Sequence, residues 1–218
     1  LPGVRAMATP FNGVIKLDVR DSTPDWEPFL PKKAPEGAPN VLIVLYDDTG
    51  LAAWSPFGGR INMPTLQKLA DNGLLYSQWH TTALCSPTRS TFLTGRNHHQ
   101  NGMACITEGS ISYPGASAHI PPGCGTMAEV LRQNGYSTFW LGKNHNVPVD
   151  DLAQGGTKET WPLHQGWDSF YGFLGGETNN WYPDLVHDNH YIEQPYSPEE
   201  GYHLSKDLAD HAITMIRD

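Results

Sequence analysis

Apolar residues fall along this chain in short runs separated by proline, glycine and polar clusters. The longest uninterrupted run is Val41-Leu42-Ile43-Val44-Leu45-Tyr46, which is closed by Asp47-Asp48. A continuous β-branched and aliphatic stretch of this kind predicts a buried parallel strand over Asn40 to Tyr46, with both aspartates at its carboxyl edge. Helical spacing follows from Pro64 to Asn72, where Leu66, Leu69 and Ala70 share a face and Gly73 is placed as the stop. The same pattern returns from Thr126 to Asn134, with Met127, Val130 and Leu131 facing inward and Gly135 as the stop. Leu74 to His80 and Ser137 to Leu141 read as further strands, and Leu204, Leu208, Ala212, Met215 and Ile216 form one helical stripe that runs into Asp218. The alternation of strand and helix predicts an α/β fold with a largely parallel sheet. Ligand sites in such sheets gather at the carboxyl ends of strands, where Asp47-Asp48 and Gly142-Lys143 both fall.

Between Leu1 and Pro39, prolines at 2, 10, 24, 28, 31, 35 and 39 break every candidate element, so residues 1–39 read as an extended arm. Residues 40–218 form the α/β unit, and 144–202 read as a loop-rich excursion over its edge. Trp161, Trp167, Phe170, Tyr171, Phe173, Trp181 and Tyr182 are expected to pack that excursion. The final stripe reaches Asp218 without a capping signal, which reads as part of a longer catalytic domain.

Composition narrows the function classes. The chain has 218 residues and a formal net charge of -9, which argues against nonspecific nucleic-acid binding and requires any anion site to be made locally positive. With 22 glycines and 18 prolines, it is richer in loops than a helical bundle. Three scattered cysteines, Cys85, Cys105 and Cys124, do not form a disulfide framework. No apolar run is long enough to span a membrane and no leader pattern opens the sequence. The compartment, cytoplasmic or exported, and the oligomeric state stay open.

The chemistry concentrates at Cys85-Ser86-Pro87-Thr88-Arg89, continued to Thr94-Gly95-Arg96. Proline is tolerated in a first helical turn, so a helix over about Pro87 to Leu93 is expected to end at Thr94-Gly95. Cys85 then sits at the helix N-terminus, where free N–H groups favour an anion, and Arg89 lies one turn along the same face. Taken alone, Cys85 reads as a buried structural thiol, and the second alternative, an activated thiolate, lacks a resolving partner because Cys105 and Cys124 are isolated. Asp47 and Asp48 read as either a hard-oxygen metal site or a solvated turn with Asp48 capping the next segment. Lys143 and His145, two residues apart, are expected to point at one rim as a fixed positive charge and a proton carrier. His98-His99 reads as support behind the Cys85 helix.

Taken together, these residues resemble the sulfatase family, in its bacterial arylsulfatase type within the alkaline phosphatase-like superfamily. The resemblance rests on Asp47-Asp48-Thr49-Gly50, Cys85 to Arg96, Gly142-Lys143-Asn144-His145, and Gly166-Trp167-Asp168-Ser169-Phe170-Tyr171-Gly172-Phe173. It implies an alkaline phosphatase-like sheet flanked by helices, of which this is the N-terminal portion. It also implies that Cys85 is oxidised to formylglycine by a formylglycine-generating enzyme. Asp47, Asp48 and residue 85 in that form would be ligands of a divalent ion, typically calcium, with magnesium or manganese as alternatives. Arg89 and Lys143 would stabilise charge on the aldehyde hydrate and sulfate, and His145 would hydrogen-bond that hydrate, one hydroxyl of which attacks a small sulfate ester.

Two departures qualify what the resemblance implies. Asn144 and Asn146 stand where the family commonly has tryptophan and leucine, which predicts a more polar pocket wall. The family's later Asp-Asn metal pair, second histidine and second lysine are not matched; Asp188-Asn189 is set aside because Leu185 to His187 makes a poor buried strand. These residues alone are therefore expected to turn over weakly or not at all. The competing readings are a phosphonate or phosphate ester hydrolase of the same superfamily, and a noncatalytic anion-binding homologue with unmodified Cys85.

Overall fold

The computed structural model describes residues 9–217. Pro2 of the N-terminal arm and the expected helix end at Asp218 lie outside the described residues. The architecture is α/β: a four-stranded sheet in the order β1 (Phe139–Lys143), β2 (Ser169–Phe173), β3 (Val186–His187) and β4 (His190–Tyr191). β1 and β2 are parallel, while β2–β3 and β3–β4 are antiparallel, so the sheet is mixed among the described residues. Four helices accompany it: α1 (Pro64–Asn72), α2 (Cys85–Thr94), α3 (Met127–Gln133) and α4 (Leu204–Arg217). Among the described residues, no helix is long and apolar enough to cross a membrane.

The period-2 pattern of β1 and β2 divides the core. Trp140 and Phe170 point to one face, where Val147, Trp161, Leu174 and Val186 pack against them. Leu141, Tyr171 and Phe173 point to the other, where they meet Leu204, Leu208 and Met215 of α4 and the ring of Tyr202. The excursion after β1 is thus a structural layer, held by Asp151. The Asp151 carboxylate accepts hydrogen bonds from Thr157, Lys158 and Thr160, and its backbone oxygen accepts one from the Trp161 indole. Trp161, Phe170 and Tyr171 are buried as expected, but Trp181 and Tyr182 stand exposed.

Several expected elements differ. Asn40 to Tyr46 forms no strand, and its apolar side chains lie open, with Leu42 73% exposed. Leu74 to His80 likewise forms no strand and leaves Leu74 82% exposed. The reason is common to both: an apolar run becomes a buried strand only where neighbours hydrogen-bond it, and none does so among the described residues. Leu69, Val130 and Ile216 lie on helices whose own hydrogen bonds are internal, and they are exposed because nothing among the described residues packs over them. The strand expected at Ser137 to Leu141 is shifted to Phe139–Lys143, which carries Lys143 into the ladder itself. α3 begins with a full capping box between Thr126 and Glu129. Residues 33–34 reach this region, where the Ala34 N–H donates to Gly135 O at 3.0 Å.

One glycine pair brings the strand ends together. Gly142 has φ +84°, and a Cβ on its partner Gly172 would lie 2.0 Å from the Gly142 oxygen. Only glycine permits that backbone approach immediately before Lys143.

Candidate active site

α2 starts at Cys85 itself and stops at Gly95, which adopts φ +65° and donates to Thr91 O at 2.8 Å. Leu84 precedes it without a side-chain cap, so the N–H groups of the first turn are left to other partners. The Cys85 thiol is half-buried and unpaired, as are Cys105 and Cys124.

Two bonds fix this helix start to the end of β1. Arg89 is buried and donates from Nη1 to Lys143 O at 2.8 Å. One residue after Cys85, Ser86 O accepts from Asn146 Nδ2 at 2.9 Å. Arg89 Nη2 also reaches Asp47 Oδ1 at 3.1 Å, and Lys143 Nζ reaches Asp47 Oδ2 at 2.6 Å. Asp47, Arg89 and Lys143 therefore converge beside the α2 N-terminus. Partial burial alone would raise the Asp47 carboxyl, but hydrogen bonds and charge from Lys143 and Arg89 outweigh it and hold the group below its ordinary value.

His145 sits in a left-handed backbone conformation, φ +54°, rather than in the extended segment expected from its spacing with Lys143. Its N–H donates to Leu174 O at 3.0 Å, and its ring is buried. Nε2 lies 2.9 and 3.2 Å from the two oxygens of Glu108, which belongs to a 3-10 turn at Thr107–Gly109. Burial pushes the His145 ring down from its ordinary value; Glu108 opposes that shift, while Lys143 and Arg89 reinforce it. Nothing in the pattern around Ile106-Thr107-Glu108 marks Glu108 in the sequence.

Other expectations find different places. Asp48 has φ +48° and makes no hydrogen bond or ion pair among the described residues; it caps nothing. Instead, the turn is closed by Thr49, whose hydroxyl donates to Asp47 O at 2.8 Å. No group of three or more His, Cys, Asp or Glu side chains suited to a metal occurs among the described residues. Asn144 and Asn146 are buried and bonded to each other, so they brace the segment internally instead of forming an open polar wall. His98 Nδ1 lies 3.1 Å from Met103 O in a turn and makes no hydrogen bond to α2 among the described residues. Leu185 and Val186 prove to be buried, with β3 starting at Val186, yet the Asp188 carboxylate accepts from the Ser169 hydroxyl and the Phe170 N–H and serves as a turn anchor.

The sulfatase family model matches residues 39–218. An arylsulfatase of Klebsiella aerogenes is 34% identical over 149 residues, covering 67% of this chain and 30% of that protein. An uncharacterized sulfatase of Schizosaccharomyces pombe is 30% identical over 200 residues, covering 86% of this chain and 36% of that protein. Human arylsulfatase D is 33% identical over 153 residues, covering 69% of this chain and 26% of that protein. The chain thus spans about a third of the length of these relatives.

Proposed function

Because the chain belongs to the sulfatase family, we propose that it carries the nucleophile side of a sulfuric ester hydrolase active site, with Cys85, Arg89, Lys143 and His145 as its reacting residues. The observation that carries this reading is the convergence of Arg89, Lys143 and Asp47 beside an uncapped helix N-terminus that begins at Cys85.

The local chemistry fits an oxygen-rich group at residue 85. Ser86 Oγ, Arg89 Nε and His145 Nδ1 are buried without hydrogen-bond partners among the described residues, and an oxygen-bearing group with its bound oxyanion would use such atoms. As formylglycine, residue 85 would supply a hydrated aldehyde able to attack the ester and later release sulfate. Asp47 and Asp48 offer hard carboxylate oxygens suited to a divalent cation such as calcium, although the described residues supply only these two carboxylates and both Asp47 oxygens are already engaged.

The roles of the chain's own groups follow from charge and reach. Lys143 and Arg89 place fixed positive charge where a sulfate oxyanion would bind, overcoming the repulsion of an acidic chain. The helix N-terminus adds backbone donors. His145, neutral because burial lowers its basicity, is able to take up and return a proton. Small sulfate monoesters are the proposed substrate class. Hydrolysis of aryl sulfates and aryl phosphonate monoesters by the full-length protein produced with a formylglycine-generating enzyme tests the reading. A preference for sulfate that is lost in Cys85→Ala supports it, and a preference for phosphonate contradicts it.

A further inference from the structure

Glu108 lies 37 residues from His145 in sequence, yet its carboxylate is the ring's one hydrogen-bond partner among the described residues, with Nε2 2.9 Å from Oε2 and 3.2 Å from Oε1. The carboxylate is itself steadied by the Thr107 hydroxyl at 3.2 Å from Oε2. The far side of the pair is closed by Gly176. A Cβ there would stand 2.7 Å from both Nε2 and Cε1 of His145 and 3.3 Å from Glu108 Oε1. The backbone of His145 is equally determined, by its own N–H to Leu174 O and by Asn146 Nδ2 to its carbonyl at 3.0 Å. Its left-handed φ is held from both sides.

A carboxylate accepts hydrogen bonds and does not donate them, so Nε2 carries the proton and Nδ1 carries the free lone pair. Nδ1 is buried and has no partner among the described residues. We propose that Glu108 is the positioning residue of His145: it holds the ring in the Nε2–H tautomer and leaves Nδ1 as the atom that exchanges a proton with the reacting group at residue 85. This role in turnover rests on the sulfatase reading above, whereas the tautomer assignment does not. When Nδ1 takes a proton the ring becomes a cation between Lys143, Arg89 and Glu108, and Glu108 supplies the negative charge that offsets the other two.

The experiment has two readouts. Nitrogen-15 NMR of the protein reads the tautomer directly and needs neither turnover nor a modified residue 85. The expected wild-type state is protonated Nε2 with unprotonated Nδ1, and Glu108→Gln, whose amide can donate to Nε2, is expected to shift population toward Nδ1–H. In protein produced with a formylglycine-generating enzyme, Glu108→Gln is expected to lower kcat on an aryl sulfate by about 10²-fold or more with little change in KM, and Glu108→Asp to recover much of it. An Nδ1–H wild-type ring, a tautomer indifferent to Glu108→Gln, or an unchanged kcat in an active enzyme overturns the assignment. The expected tautomer in a matured full-length protein that hydrolyses no sulfate ester overturns the sulfatase reading and leaves Glu108 as the residue that orients His145.

Discussion

Lys143 Nζ lies 2.6 Å from Asp47 Oδ2, joining the end of β1 to a residue 96 positions earlier. With Arg89 on the other oxygen, Asp47 is the hub on which α2 and β1 are aligned. Asp47→Ala leaves the buried Arg89 without its carboxylate partner. Removing one member of a fully buried pair costs several kcal/mol, and the 38% exposure of the Asp47 side chain scales the expected loss to about 1–3 kcal/mol. Urea unfolding of wild type and variant measures it, and an unchanged midpoint would refute the hub.

Arg89 and Lys143 differ in their second duties, so their variants separate. Lys143→Ala is expected to cut kcat on an aryl sulfate by about 10²–10³-fold while the fold is retained. Arg89→Lys is expected to be nearly as damaging, because one ammonium group cannot serve both Lys143 O and Asp47. Steady-state kinetics with circular dichroism on both variants checks this; full activity in Arg89→Lys would remove the case for a two-pronged guanidinium.

Gly176→Ala places a methyl group against the His145 ring. Displacing a proton carrier by about an ångström lowers kcat by up to about 10²-fold. Kinetics on matured protein is the check, and a wild-type rate would show that the ring has room to move.

Asp207 is buried on α4 and accepts from the Tyr171 hydroxyl at 2.7 Å and the Tyr202 hydroxyl at 3.0 Å, with His211 Nδ1 3.2 Å from its other oxygen. Asp207→Ala orphans both hydroxyls where α4 packs on the sheet and is expected to cost about 2–4 kcal/mol. Thermal denaturation with α4 helicity as the signal measures it; a loss below about 0.5 kcal/mol would contradict the anchoring role.

Asp151 gives a pH signature. Burial alone would raise its carboxyl, but hydrogen bonds from Thr160, Lys158 and Thr157 outweigh this and hold it below its ordinary 3.8. A depressed folded-state value means stability is fully present above the unfolded value and drains away as pH falls toward and through the folded one. Asp151→Asn is therefore expected to flatten the decline in stability below about pH 4. Equilibrium unfolding across that range tests it, and parallel wild-type and variant curves would contradict it.

Legibility in the sequence followed how local each signal was. The helices at Pro64, Cys85 and Met127 were readable because caps, proline placement and stop glycines act within a few residues. The runs Val41 to Tyr46 and Leu74 to His80 carried apolar content but not the neighbouring strands that turn content into a ladder. Asp47, Arg89 and Lys143 were each named from sequence, and the structure gathers them. Glu108, Gly176 and Asp207 left no trace, because their roles arise from contacts between segments far apart in the chain.

The account stands on the chemical fate of residue 85. Mass spectrometry of the tryptic peptide Leu69 to Arg89, from protein produced with a formylglycine-generating enzyme, reads it directly. The predicted result is a peptide in which the Cys85 thiol has been replaced by an aldehyde that reacts with a hydrazide. A peptide from that same host with an intact thiol that alkylates fully would contradict the account.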